Sequence, residues 1–194
     1  MKVGVIGAGA WGTALAIISA QGGADVTLWS YDGEHKHFDD ITIPHNLEIT
    51  GNMQDMHNMD TWLIVTPAAF FRETLRKARE IYNGQPIIIC TKGAESTTGQ
   101  FMSEILQSEL PECHEYGVLS GPQFAAEVAH GVPTGSTLAG TQGALLAGAD
   151  ALNKLYLCRK EKLLQKCPSA WRSKMRPYTK SFSCQHRSFR FDKY

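Results

Sequence analysis

The sequence predicts an α/β fold, a doubly wound parallel sheet, and three observations carry that reading. Short apolar runs alternate with helical stretches along residues 1–153. The run Pro86-Ile87-Ile88-Ile89-Cys90-Thr91 is apolar on both faces, as the centre of a parallel sheet covered by helices requires. The first run, Val3-Gly4-Val5-Ile6, passes through a glycine turn straight into a helix.

That turn is Gly7-Ala8-Gly9-Ala10-Trp11-Gly12, and the helix begins with Thr13-Ala14-Leu15-Ala16-Ile17-Ile18. The order strand, three spaced glycines, helix is how a chain holds the pyrophosphate of a dinucleotide. Gly7 lets the chain turn off the strand, Gly9 lets backbone approach the phosphates, and Gly12 lets helix pack closely on strand. The unpaired amides at the helix N-terminus face the anion. A glycine-rich turn without a ligand is the competing reading; the flanking strand and helix argue against it. Lys2 followed by apolar residues to Ala20 also has the outline of a secretory signal, but four glycines between residues 4 and 12 interrupt it, so the start reads as that of a mature cytoplasmic protein.

The turn Gly22-Gly23 leads into a second strand, Asp25-Val26-Thr27-Leu28-Trp29. Asp32 stands 20 residues beyond Gly12, where an acid accepts hydrogen bonds from the adenosine ribose and repels a 2′-phosphate. An acidic turn residue within Ser30-Tyr31-Asp32-Gly33 is the alternative. Trp62 to Thr66 is a strand ended by Pro67, followed by a helix from Ala68 to Tyr82 whose Arg72, Arg76 and Arg79 share a solvent face. The strand at 86–91 empties into Lys92-Gly93-Ala94-Glu95. A helix from Thr98 to Leu110 precedes the strand Tyr116 to Leu119, which ends at Ser120-Gly121-Pro122. Residues Phe124 to His130 read as helix, Thr134 to Ala139 as extended, and Gly143 to Leu155 as helix.

In a parallel sheet the glycine turn, Lys92 and the turn Ser120-Gly121-Pro122-Gln123 all open on one edge. Lys92 supplies a compact cation for a phosphate or carboxylate, and a desolvated lysine also suits acid/base work; a solvated loop lysine is the other reading. Gly121 allows close backbone approach, and Pro122 is expected in the first turn of the next helix, with that helix's amides aimed outward.

The 194 residues are 43% apolar, enough for a packed core, and no uninterrupted apolar stretch reaches the roughly 18 residues of a membrane span. A soluble protein without a membrane partner is expected. The net charge of zero averages two unlike parts: residues 1–153 hold 7 Lys/Arg against 17 Asp/Glu, and residues 154–194 hold 12 against 2. This divides the chain into a dinucleotide-binding domain, 1–153, and a basic tail, 154–194, that is not expected to form a folded domain. The tail reads as an out-of-frame translation, a degenerate gene end or a functional basic segment. Its Cys158, Cys167 and Cys184, even with His186, fit no zinc spacing, so no metal is expected. Its Phe182, Phe189 and Phe191 are too sparse to stack bases, so no nucleic-acid partner is expected.

Residues 7–16 (Gly-Ala-Gly-Ala-Trp-Gly-Thr-Ala-Leu-Ala), Leu28-Trp29, Thr91-Lys92-Gly93, and above all Leu119 to Val128 (Leu-Ser-Gly-Pro-Gln-Phe-Ala-Ala-Glu-Val) with Pro133-Thr134 resemble bacterial NAD(P)-dependent glycerol-3-phosphate dehydrogenase, over about residues 1–150. The resemblance implies a Rossmann-like domain and reversible hydride transfer between nicotinamide and the middle carbon of dihydroxyacetone phosphate, giving glycerol 3-phosphate for phospholipid synthesis. It also implies that Ala10, Trp11 and Ala125 touch the dinucleotide, that Lys92 lies near both cofactor and substrate, and that Gly121 and Gln123 contact the small phosphorylated substrate.

Where the family often carries Arg or His after the second strand, this chain has Tyr31 and Asp32, with Lys36 and histidines as the nearby cations; NAD or NADP is therefore expected, NAD slightly preferred. The stretch from Asp32 to Pro44 is shorter than the family's, so part of the wall around the adenosine is expected to be missing. The family further needs a helical second domain with a proton-transferring lysine followed by asparagine, and an Arg-Asn pair. Neither dipeptide occurs here. The expectation is thus a cytoplasmic dehydrogenase by descent, lacking the helical second domain and of low turnover, with Lys92 as its remaining catalytic candidate and an exposed apolar face that favours a homodimer. A dinucleotide-binding module without catalysis is the alternative, and another enzyme of the same superfamily, acting on a phosphorylated or carboxylated substrate, is the third reading.

Overall fold

A computed structural model describes residues 1–38 and 40–161. Eight strands form one sheet: β1 (Lys2–Ile6), β2 (Asp25–Trp29), β3 (Leu47–Thr50), β4 (Thr61–Ile64), β5 (Ile87–Ile89), β6 (Tyr116–Ser120), β7 (Gly135–Gly140) and β8 (Tyr156–Glu161). Their order across the sheet is β3-β2-β1-β4-β5-β6-β7-β8. The helices are α1 (Ala10–Gln21), α2 (Ala68–Ala78), α3 (Met102–Glu109), α4 (Ala125–Ala129) and α5 (Gln142–Ala151).

The central strands are apolar throughout because successive side chains feed opposite faces, and both faces are covered. Val3, Val5, Leu63 and Ile88 join Leu15 and Ile17 of α1 in one core. Ile6, Trp62, Ile64, Ile87 and Ile89 join Phe71 and Leu75 of α2 and Ile105 and Leu106 of α3 in the other. Every residue of α1 from Gly12 to Ala20 is buried, so this helix is apolar all round. Gly4 makes room for the largest side chain of the second core: a Cβ there would stand 2.8 Å from Cδ1 of Trp62. The Trp62 indole N–H donates to the Met56 carbonyl at 3.0 Å, so the ring is buried with its one polar group satisfied.

The expected doubly wound parallel arrangement holds from β3 to β6, and β7 reverses it by pairing antiparallel with β6. The chain turns back at Gly121, which packs against the Gly135 carbonyl at the start of β7, so β7 re-enters the sheet at the end where β6 leaves it. The chain then crosses over through α5, and β8 pairs parallel with β7.

Several boundaries differ from expectation. Strand β3 was not anticipated; it is a four-residue edge strand, approached through Asn46, whose side-chain amide donates to the Ala20 and Ala24 carbonyls. Helix α2 ends at Ala78 and continues as a tight 3₁₀ turn, Arg79–Ile81. Helix α3 begins at Met102, not Thr98, because the Glu104 carboxylate accepts the Phe101 N–H and stops the helix there. Pro122 does not open α4, which starts at Ala125. The sheet extends past Asn153 through β8, so the first eight residues of the segment set apart as a tail belong to the domain's turn and edge strand. The remaining tail, with Cys167, Cys184, His186 and its three phenylalanines, lies outside the described residues. Among the described residues no helix is long and apolar enough to cross a membrane, and no three His, Cys, Asp or Glu side chains group as a metal site.

Trp62→Ala removes a fully buried ring from between β1 and the 3₁₀ turn at Met53–Met56. It is expected to cost about 3–5 kcal/mol of stability, read as a lower urea midpoint at unchanged slope.

Candidate functional site

Strand order reverses direction at β1, since the chain proceeds outward through β2 and β3 on one side and through β4, β5 and β6 on the other. The carboxyl ends of strands at such a switch point form a ligand crevice. The glycine turn sits there. Gly7 has φ +116°, and a Cβ on it would come within 2.9 Å of the Thr66 backbone nitrogen at the end of β4. A Cβ on Gly12 would collide with the Gly7 carbonyl oxygen. Both glycines are therefore demanded by the protein's own packing. Gly9 is not: its backbone is ordinary, φ −65° and ψ 177°, and a Cβ would meet nothing within 4 Å. Thr13 Oγ donates to the Ala8 carbonyl at 3.1 Å and pins the turn.

Three strand ends converge as expected. The Lys92 ammonium, beyond β5, donates to the Gln123 carbonyl beyond β6 at 3.3 Å, and it lies 5.0 Å from the ring centre of Trp11 in the first turn of α1. The ring face attracts the cation, so Lys92 is held across the crevice by one dipole and one π-system. Ala10 is exposed at the start of α1, and Ala125 at the start of α4 packs against the core that buries α1. Gly121 permits the return of β7, because a Cβ there would lie 2.9 Å from the Gly135 carbonyl oxygen.

Gln123 presents its backbone, not its side chain, to Lys92. The side chain is buried; its amide nitrogen donates to Ser136 Oγ on β7, while its amide oxygen has no partner.

At the other end of the crevice, Tyr31 is 80% exposed with the Lys77 ammonium 5.2 Å from its ring centre. Asp32 closes a turn on itself: one carboxylate oxygen accepts from Ser30 Oγ at 2.6 Å and from the Glu34 amide at 3.1 Å. These bonds, Ser30 first, hold its carboxyl below the usual range, so it stays anionic. The short connection after it folds back onto the glycine turn, where the Lys36 amide donates to the Ala8 carbonyl at 3.1 Å, and Phe38, Ile41 and Ile43 pack on the core of α1. His35 and His37 lie against each other with ring centres 4.3 Å apart and ring planes tilted by 53°; burial and then His37 push the His35 pKa down.

Of the arginines expected on a wet helix face, Arg76 and Arg79 are exposed as expected and Arg72 is half-buried, and all three pair with acids. Arg72 makes a two-pronged contact with Glu95, at 2.9 and 2.8 Å, and also reaches Gln100 at 2.6 Å and Glu109 at 2.5 Å. Arg76 pairs with Glu109 and Arg79 with Glu112. Glu95 also accepts from Thr98 Oγ, and it is held at a pKa of about 2, first by Arg72 and then by Thr98. Partners so distant in sequence leave no local pattern, so helix periodicity shows the exposed face of Arg76 and Arg79 but not the pairing of the three arginines with acids.

A cavity of about 280 Å³ lined by Ile18, Gln21, Val128 and Leu155 lies at the far end of α1 from the glycine turn and takes no part in this site.

Residues 2–145 match the family described as NAD-dependent glycerol-3-phosphate dehydrogenase N-terminus. The chain belongs to the NAD-dependent glycerol-3-phosphate dehydrogenase family. It is 39% identical over 150 residues to glycerol-3-phosphate dehydrogenase [NAD(P)+] of Parvibaculum lavamentivorans, covering 71% of this chain and 45% of that protein. It is 41% identical over 152 residues to the Paramagnetospirillum magneticum protein of the same name, covering 71% and 54%. The crystal structure of the Coxiella burnetii glycerol-3-phosphate dehydrogenase superposes with a TM-score of 0.73 at 25% identity, over 82% of this chain and 53% of that one. The chain thus spans about half the length of these dehydrogenases.

Glu95 is ionised well below its ordinary 4.5, so its tie to Arg72 stabilises the fold fully above that pH and is lost as pH falls from there towards 2. The stability difference between the wild-type protein and Glu95→Gln is expected to be constant above about pH 5 and to shrink steadily below pH 4.5, read from urea midpoints across that range.

Proposed function

We propose that this chain seats an NAD-type dinucleotide on the Gly7–Gly12 turn and serves the reversible hydride transfer between nicotinamide and dihydroxyacetone phosphate, giving glycerol 3-phosphate for phospholipid synthesis in the cytoplasm. Gly9 carries the reading. Among the described residues nothing crowds a Cβ there, whereas a Cβ at that exposed position at the head of α1 would stand where a pyrophosphate meets the helix amides. Gly7, Gly9 and Gly12 shape the seat, Ala10, Trp11 and Ala125 border it, and Tyr31 and Asp32 face the adenosine end.

A bound nicotinamide supplies the hydride acceptor or donor. The chain's own contribution is electrostatic: the Lys92 ammonium, fixed between Trp11 and the Gln123 carbonyl, offsets the negative charge of a phosphorylated substrate brought to the crevice beside Gly121. The Asp32 carboxylate disfavours a 2′-phosphate and so favours NAD over NADP. The proton-transferring Lys-Asn of the family has no counterpart in these 194 residues. Residues 1–161 supply the seat of the dinucleotide and the cation beside the substrate. The second reading is dinucleotide binding without catalysis, which the glycine turn and the helix amides serve by themselves.

Calorimetric titration with NADH is expected to saturate for the wild-type chain. Gly9→Val should lower the unfolding midpoint only slightly, the cost of Val at the helix N-cap, and lose at least about tenfold in affinity, the cost of a displaced pyrophosphate contact of about 1.4 kcal/mol; equal affinity in the two proteins would refute the seat. Steady-state oxidation of NADH with dihydroxyacetone phosphate separates the two readings, since turnover typical of a dehydrogenase excludes the binding-only one. Asp32→Asn is expected to narrow the NAD-over-NADP affinity ratio by about fivefold, the effect of one like charge at close range in water.

A further inference from the structure

Lys92 leaves β5 at the start of a small closed loop. Ala94 and Phe101 form an antiparallel bridge, the Glu95 amide donates to the Gln100 carbonyl at 2.9 Å, and the Gly99 amide donates to the Glu95 carbonyl at 2.8 Å. Residues 94–101 are thus a miniature hairpin with Glu95 on one leg and Gln100 on the other. Thr91, whose hydroxyl bonds to the Ile64 and Thr66 carbonyls, anchors the backbone just before Lys92, and Gly93, φ +100°, turns the chain from Lys92 into the hairpin, so the hairpin bounds Lys92 on its other side.

The group that fixes it comes from α2. The Arg72 guanidinium takes both carboxylate oxygens of Glu95 and the side-chain oxygen of Gln100, so one planar fork spans both legs, and its remaining arm reaches Glu109 on α3. Its neighbour Phe71 is fully buried, and α2 follows directly on β4, whose end touches Gly7. The hairpin is thereby set in register with the glycine turn.

We propose that Arg72 is a positioning residue: through Glu95 and Gln100 it holds the 94–101 hairpin so that the Lys92 ammonium lies over Trp11 and against the Gln123 carbonyl. The proposal rests on reading Lys92 as the cation of the crevice, and its test does not depend on whether a dinucleotide binds.

The ε-methylene signals of Lys92, observed by NMR in the full chain with ¹³C-labelled lysine, report its place over the Trp11 ring. They are expected upfield of the other lysines in the wild-type protein and to return to the common position in Trp11→Leu. In Arg72→Gln they should return likewise, while the amide signals of Gly7 and Gly12 stay in place. Glu95→Gln, which keeps the side-chain shape and the Arg72–Glu109 tie, should move them part of the way, and it carries the test if Arg72→Gln does not fold. An unmoved Lys92 signal in either folded variant overturns the proposal. A wild-type chain that fails to bind NADH while these shifts occur refutes the dinucleotide reading and leaves the positioning role standing.

Discussion

The contact on which the rest of the molecule depends is the approach of α1 to the first turn, where Gly12 lies against the Gly7 carbonyl with no room for a single added carbon. This brings the start of a fully buried helix onto the end of the first strand and sets where the helix's unpaired amides point. Gly7 meets the end of β4 just as closely, so the turn is locked to the two strands that flank the switch point. Trp11 is carried in the same turn of helix, which makes the position of Lys92 a further consequence of a contact between two glycines.

Two cores of unlike character flank the sheet. The fully buried part of the core around α1 is aliphatic, with Ala14, Ala16 and Ala20 letting the helix lie close, whereas the one under α2 and α3 holds Trp62, Phe71 and Met56. Close approach is needed on the first face because the glycine turn is there. On the second, bulk fills the wider space, and the polar partners that direct the loop after β5 sit at the rim between α2 and α3.

How far each feature was legible in the sequence follows from how local its cause is. The glycine turn, the strand at 86–91 and the clustering of Lys92 with the 120–123 turn are set by spacing and by parallel strand direction, so they could be read directly. Strand β3 could not, because only Leu47 and Ile49 mark it and it is stabilised by pairing with β2. The reversal at β7 brings Gly121 against Gly135, a contact across the intervening helix that composition does not mark. Arg72 finds its acids 23 and 37 residues away, and Gln123 turns its side chain towards Ser136 on a strand that sequence periodicity did not orient. Charge composition placed the division of the chain at Asn153, eight residues short of the end of β8, because a basic strand on the edge of a sheet looks like a solvated tail.

That edge strand bears on how the domain keeps to itself. The backbone of β8 runs alongside β7 from Tyr156 to Glu161, and the Asn153 side chain ties the preceding turn to the Gly22 carbonyl at the far end of α1. Without those residues β7 would present a row of unpaired amide and carbonyl groups, a ready template for a strand from another molecule. Arg159, exposed, stands on the strand that closes that row, and charge at a sheet edge discourages further strand addition. A stretch whose composition reads as the start of a basic tail thus satisfies the outer backbone groups of β7.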